Sequence, residues 1–151
     1  MNVESFLKSH GQSVFTLSPD ETVADAARRF SELTGQRKYS LAVACEGDKQ
    51  VVGVLSLGDI AYALGTHKDK AAAMQVRDIM SADVAAANPS DDIMDLLDVM
   101  AQRDIRHMPA VEDGQLRGLI ARRDVFEFLA NEKALELEHL RSFLFRSGAR
   151  Y

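Results

Sequence analysis

Two short stretches hold side chains whose types and spacing could do chemistry. One is Ser56-Leu57-Gly58-Asp59, which follows the apolar run from Val51 to Leu55. The other is Ala121-Arg122-Arg123-Asp124, which follows Leu116 to Ile120. Gly53 and Gly118 are 65 positions apart, and so are Asp59 and Asp124. Each stretch reads as a strand feeding straight into a helix, and a helix N-terminus offers unpaired backbone N–H groups to an anion. A carboxylate at such a corner can accept two charge-assisted hydrogen bonds from a cis-diol. A serine adds a small donor beside the free N–H groups, and an arginine fork suits a phosphate. Arg106 and His107, ahead of the second glycine strand, extend the basic set. These groups bind; none is arranged to make or break a covalent bond. Ser-x-x-Asp is also the spacing of a capping box, a structural role that can coexist with binding. Arg122 and Arg123 fit poorly with the positive end of a helix dipole, which points to an anionic partner.

Other chemistries lack their signatures. His10, His67, His107 and His139 are far apart, without paired metal-ligand spacing. The chain has no nucleophile elbow, Walker-type phosphate loop or dinucleotide fingerprint. Its formal net charge is −5 with no basic run, which argues against nucleic acid as a main partner. No stretch approaches the roughly 20 apolar residues of a membrane span. The opening MNVESFLKSHGQ lacks the apolar region of a secretory signal. One cysteine, Cys45, cannot form an internal disulfide, and a reducing cytoplasmic setting fits that usage. With 46% hydrophobic and 27% charged residues, the chain has a globular balance.

The elements that must position the two corners follow from periodicity. Val3, Phe6 and Leu7 make a short amphipathic turn that Gly11 breaks, and Val14 to Leu17 is a short strand. Thr22 and Asp25 have capping-box spacing, and Val23, Ala26, Ala27 and Phe30 form one helical face, ended near Gly35. Leu41 to Cys45 is a strand and Glu46 to Gln50 a polar turn, and a helical pattern starts at Asp59. Gly65 to Gln75 reads as a connector. The order then restarts at Val76 to Met80, with a strand at Val84 to Ala87. NPSDDIMDLLDVM matches LSPDETVADAARRF at an offset of 70, pairing Pro89 with Pro19 and Met100 with Phe30. The offset is 65 at the glycine strands, so five residues differ within loops, around Thr34 to Ser40 or Cys45 to Gln50. Ile105 to Val111, a turn at Asp113-Gly114 and Leu116 to Ile120 complete the second copy. Met94, Met100, Met108 and Cys45 read as core. From Asp124 to Phe145 no Gly or Pro occurs, and Val125, Phe128, Leu129, Leu135, Leu140, Phe143 and Leu144 give an apolar stripe. That helix is expected to pack on the N-terminal turn or on another subunit.

Two copies of strand, helix, strand, Gly-containing strand, Asp and helix resemble a pair of CBS domains, the repeats named after cystathionine β-synthase. VRDIM, RHMPAVEDGQLRGLI and VVGVLSLGDI carry the resemblance. More narrowly, the chain is similar to small stand-alone bacterial two-repeat proteins with a long C-terminal helix. The fold expected is α/β (α+β): two repeats packed as a pseudo-twofold pair. The first repeat with the N-terminal turn spans 1–74, the second 75–131, and a helical extension 132–151.

The resemblance implies a regulatory module that binds an adenine nucleotide (AMP, ADP, ATP or NAD) in clefts between the repeats. It implies no catalytic cofactor and a homodimer built as a four-repeat disc, with the regulated partner not specified. By that resemblance Asp59 and Asp124 meet ribose hydroxyls, and Ser56 lies near the phosphates. Arg106 and His107 meet phosphates. The adenine lies near Thr16 and Leu17 or near Val84, Met108 and Pro109. The second copy has Ala121 in place of the hydroxyl residue, so the cleft of Ser56 and Asp59 is the better supplied. The first copy has Ala42 where the second has Pro109, and Tyr39-Ser40 for Arg106-His107. The competing reading is a ligand-free homodimeric assembly protein.

Overall fold

The computed structural model describes residues 1–10, 14–33 and 39–147, with side chains through Ser142. Eleven helices and strands occur among these residues, in an order that repeats. They are α1 (Val3–His10), β1 (Thr16–Leu17), α2 (Val23–Glu32), β2 (Leu41–Glu46), β3 (Gln50–Ser56) and α3 (Leu57–His67), then α4 (Val76–Ile79), α5 (Ile93–Gln102), β4 (His107–Glu112), β5 (Gln115–Ala121) and α6 (Arg122–Ser147). Gly11 and Gly35, expected to end helices, lie outside the described residues. The helix expected from Asp59 starts two residues earlier, because Ser56 is its N-cap. The connector is largely helical too: α3 runs to His67, and a 3-10 turn covers Lys68–Ala73 with Ala71 buried.

One five-stranded sheet has the order β1-β2-β3-β5-β4. Its halves meet at a single antiparallel pair, Gln50 with Gln115. The Val51 N–H donates to the Gly114 carbonyl at 3.0 Å, and the Leu116 N–H to the Lys49 carbonyl at 2.9 Å. The duplication is visible in the ladders. Irregularities fall between Ala44 and Cys45 in one half and between Ala110 and Val111 in the other. Leu41 pairs with Ser56 as His107 pairs with Ala121. This register sets Val43, not Ala42, against Pro109, and Ser40-Leu41 against Arg106-His107. The sequence match is therefore corrected by one residue here. Loop lengths explain the slip. The β2–β3 hairpin has three residues between Glu46 and Gln50, whereas the β4–β5 hairpin has only Asp113 and Gly114. Both of the latter have positive φ, 52° and 78°, as a tight two-residue hairpin requires. The remaining length difference lies between α2 and β2. The strand expected at Val84 to Ala87 shrinks to one parallel bridge, Ala87 with Ala110.

Packing does not follow chain order. Two buried clusters form, and each is completed by a segment from outside its own half. Val3, Phe6 and Leu7 of α1 lie among Ile93, Met100, Met108 and Ile120 of the second half. Val76 of α4, with Met74, Ile79 and Met80, packs among Leu17, Val23, Phe30 and Leu55 of the first. So α1, which chain order groups with residues 1–74, is buried against the second repeat. The backbone repeats the exchange. The Val3 N–H donates to the Asp91 carbonyl at 2.9 Å, and the Val76 N–H to the Glu21 carbonyl at 2.8 Å.

This exchange accounts for the repeated glycines. A Cβ at Gly53 would sit 2.6 Å from the Met80 sulfur and 2.9 Å from the Ser81 carbonyl oxygen. One at Gly118 would sit 2.8 Å from both Leu7 methyls. Each glycine leaves room for the crossing segment to lie against its strand. Met100 and Met108 are core as expected, whereas Met94 is 50% exposed and corrects that expectation. The reason is its helical phase, since Ile93, Leu96 and Met100 take the buried face of α5. Cys45 is half-buried, and burial pushes its thiol pKa up. The start of α6 packs on α1 as expected, with Phe128 edge-on to Phe6 at 5.9 Å and to His10 at 5.3 Å.

Candidate functional site

The two strand-to-helix corners have equivalent backbones and different side-chain chemistry. At the first corner, the Leu57 N–H donates to the Ser40 carbonyl at 3.1 Å. Ser56 Oγ accepts the Asp59 N–H at 3.0 Å, and one Asp59 carboxylate oxygen accepts the Ser56 N–H at 2.8 Å. This is a complete capping box. Ser56→Ala is expected to cost about 1 kcal/mol of stability, measured by urea unfolding, because it strips α3 of its cap.

At the second corner the Arg122 N–H donates to the Arg106 carbonyl at 2.9 Å, the counterpart of the Leu57 bond. Ala121 cannot cap, and no box forms. Asp124 stands as the third residue of α6 with its carboxylate 3.5 Å from the guanidinium of Arg123. That arginine is 84% exposed and holds the contact weakly. His107 begins β4 opposite Ala121 and is half-buried. Burial and then the Arg106 guanidinium hold its imidazole pKa below the usual value of 6.5; Asp124 pulls it up, and Arg123 adds to the lowering. Arg106, Arg123 and Asp124 therefore all act on one half-buried imidazole, His107, and Arg123 also meets Asp124.

A consequence for pH follows. The unfolded chain binds a proton at His107 more readily than the folded one, so this group's contribution to stability rises with pH. Stability is lost as pH falls from about 6.5 through the lowered folded value. His107→Gln is expected to flatten that acid-side slope in denaturation curves recorded across this window.

Three cavities lie near the sequence-predicted residues. Asp124 lines one of about 190 Å³ with His10, Glu127, Phe128 and Asn131. Thr16 and Leu17 line one of about 340 Å³ at the hairpin end of β2, with Glu21, Arg29, Cys45 and Lys49. Val84 lines a groove of about 310 Å³ between the halves, with Val51, Val52, Ala86, Val111 and Gly114. The last two differ in chemistry. In the first, both Glu21 carboxylate oxygens accept from Arg29 at 2.8 Å, and Arg29 also donates to the Thr16 carbonyl at 2.8 Å. The second is lined by valines, alanines and Gly114, with Asp83 as its one charged side chain among the described residues. Thr16 pairs with Val43 and Ser56 with Leu41, two positions apart along β2, about 7 Å at strand rise. Met108 and Pro109, expected to face a ligand, are buried in the sheet. Met108 points into the core, and the Pro109 carbonyl accepts the Ala87 N–H at 2.9 Å. The structure thus brings Arg106, Arg123 and Asp124 to bear on His107, with Arg122 half-buried at the start of α6; Thr16 and Leu17 line one separate cavity and Val84 another, and Ser56 and Asp59 close the cap of α3.

Sequence reasoning missed the groove walls Ala86 and Val111 and the Arg29–Glu21 pair. Val51 and Val52 were visible as an apolar run, and their half-exposure required the second half to be in place.

The model of the CBS domain matches residues 9–66 and again residues 76–131. The chain belongs to the CBS-domain family. YhcV of Bacillus subtilis, a CBS domain-containing protein, is 30% identical over 80% of this chain and 83% of its own length. A 33.4 kDa protein of Thermofilum pendens is 28% identical over 86% of this chain, which spans 40% of that protein. Among solved structures, the CBS-domain containing protein ATU1752 of Agrobacterium tumefaciens is 24% identical, with a TM-score of 0.73 over 84% of this chain and 98% of that one. Two further CBS structures are complexes. PAE2072 of Pyrobaculum aerophilum is complexed with AMP, at 21% identity and TM-score 0.69 over 82% and 89% of the two chains. The CBS pair of protein MJ0100 is in complex with 5-methylthioadenosine and S-adenosyl-L-methionine, at 18% identity and TM-score 0.72 over 87% and 98%. In this CBS pair no described helix is long and apolar enough to cross a membrane.

Proposed function

We propose that this CBS pair is a regulatory receptor for an adenine nucleotide or adenosine derivative, held at the clefts between its repeats, and not a catalyst. One observation carries the reading. Of the two repeated aspartates, Asp124 is not consumed in closing its own helix; it meets Arg123 at 3.5 Å and acts, with Arg106 and Arg123, on His107. That corner offers a carboxylate to a ribose diol and cations to a phosphate. The adenine ligands of the two solved CBS complexes support the ligand class. The geometry favours the second corner over the first, because the Asp59 oxygen that closes the box is already spent.

In this reading the module works in the cytoplasm as a homodimer of four repeats. The ligand favours one relative angle of the repeats or subunits and a separate protein reads it, which requires unequal affinity for the two arrangements. A second reading, a ligand-free assembly protein, draws on the complete capping box at Ser56, which leaves the first corner little to offer.

A thermal-shift panel of AMP, ADP, ATP, NAD and S-adenosylmethionine separates the two. Ligand at 100 times its dissociation constant is expected to stabilise the fold by about 2.7 kcal/mol, or roughly 5–10 °C for a chain of this size. A flat response across the panel favours the assembly protein.

A further inference from the structure

The most unbalanced surface lies on α6. Its first two turns are anchored, with Val125 fully buried and Phe128 and Leu129 against the second core. From Ala130 to Ser142 every side chain is exposed, including Leu135, Leu137 and Leu140 at 57–61%. From Ala130 to Ser142 the helix runs about 20 Å with its side chains clear of the body. A helix of that length without a packed face is marginal in water.

Phe126, Ala130, Lys133, Leu137 and Leu140 recur at spacings of four and three, the a and d positions of a heptad. They lie on one stripe to the side of the body-facing Val125 and Leu129. Glu136 then falls at g and Arg141 at e, five residues on. Two copies of this helix, parallel and in register, place each Glu136 against Arg141 of the other copy. Reversing one helix in the register that overlaps Ala130 with Leu140 brings Glu136 against its own copy. Lys133 interrupts the seam and is paired with Glu136 of its own chain at 3.3 Å.

We infer that α6 pairs with α6 of a second copy as a short parallel coiled coil, with Leu137 and Leu140 at its centre. The occupant is the same chain because the stripe and its flanking charges are self-complementary. This contact is separate from the disc expected between repeat surfaces and stands whether or not a ligand binds.

Cysteine pairing tests orientation directly, in the full chain with Cys45→Ala. Leu140→Cys puts the two thiols face to face across a parallel seam, within disulfide reach. Mild oxidation is expected to convert most of the protein to covalent dimer, while Leu135→Cys, on the far side of the helix, stays largely monomeric on denaturing gels. Cross-linking at Leu135 equal to that at Leu140, or none at Leu140, overturns the pairing. By sedimentation, Leu137→Glu with Leu140→Glu is expected to raise the dissociation constant of the tail contact at least 100-fold, and Lys133→Leu to lower it. Charge reversal at Glu136 alone should weaken the dimer, and reversal at Glu136 and Arg141 together should restore it. A dimer held by the repeat surfaces alone would be indifferent to all of these changes, which would sink the tail contact and leave the disc intact. A wild-type chain that is monomeric at every concentration overturns it as well.

Discussion

Asp124→Ala is expected to weaken binding of an adenine nucleotide about 100-fold, the loss of two charge-assisted bonds to a ribose diol worth about 3 kcal/mol together. Asp59→Ala is expected to change affinity less than about threefold and to lower stability by about 1 kcal/mol, the value of a helix cap. The contrast follows from what each carboxylate already does. An Asp59 oxygen accepts the Ser56 N–H at 2.8 Å, and the serine returns a bond to the Asp59 N–H. Among the described residues the Asp124 carboxylate has one ion pair, with the exposed Arg123 at 3.5 Å, and it lines a cavity of about 190 Å³. Its replacement should leave the fold intact, because no cap depends on it. Titration calorimetry on both variants reads affinity, and urea unfolding reads the cap. The reverse pattern, binding lost at Asp59 and kept at Asp124, would move the site to the first corner.

The second large effect concerns the exchanged segments. Phe6→Ala is expected to destabilise the chain by about 3–5 kcal/mol, roughly 10–15 °C. Phe6 is 2% exposed, stacks on His10 at 4.3 Å and meets Phe128 edge-on. No small side chain can fill that space without moving α1, and α1 carries Val3 and Leu7 into the same cluster. The damage should appear far away in sequence. Amide exchange is expected to quicken first in His107–Glu112 and Gln115–Ala121, with Leu41–Glu46 protected longer. Loss of protection confined to Thr16–Leu17 and Leu41–Glu46 would mean that α1 belongs energetically to its own half.

Much of the architecture was readable from periodicity and internal repetition. The glycine-to-aspartate spacing located β3, β5 and the helices after them, and the 70-residue offset located α2 and α5. Ser-x-x-Asp announced a capping box, which formed. Non-local facts could not be read. Nothing in VESFL says that it packs on the second half, or in VRDIM that it packs on the first, because a buried apolar segment carries no record of its neighbour. The strand at Val84 to Ala87 failed for a related reason: Val-Ala-Ala-Ala has little strand propensity of its own, and only Ala87 reaches a partner. The register of Pro109 slipped because one residue of the length difference sits in a hairpin, where sequence alone cannot assign it.

Site chemistry was legible as residue types and illegible as geometry. Arg106, His107 and Asp124 lie up to 18 positions apart, and the ladder pairing His107 with Ala121 brings them together. The resemblance placed Met108 near the adenine; in the structure it is 2% exposed and packs in the second core. The serine that made the first corner look better supplied is the residue that engages its aspartate.

The most direct test is a backbone amide NMR titration of the full chain with AMP and with S-adenosylmethionine. Saturable shifts are predicted at Arg106, His107 and Ala121 to Asp124. The pair Ser56 and Asp59 should move little. A folded protein whose spectrum is unchanged by every adenine ligand, or one that responds only at Ser56 to Asp59, contradicts a receptor centred on Asp124.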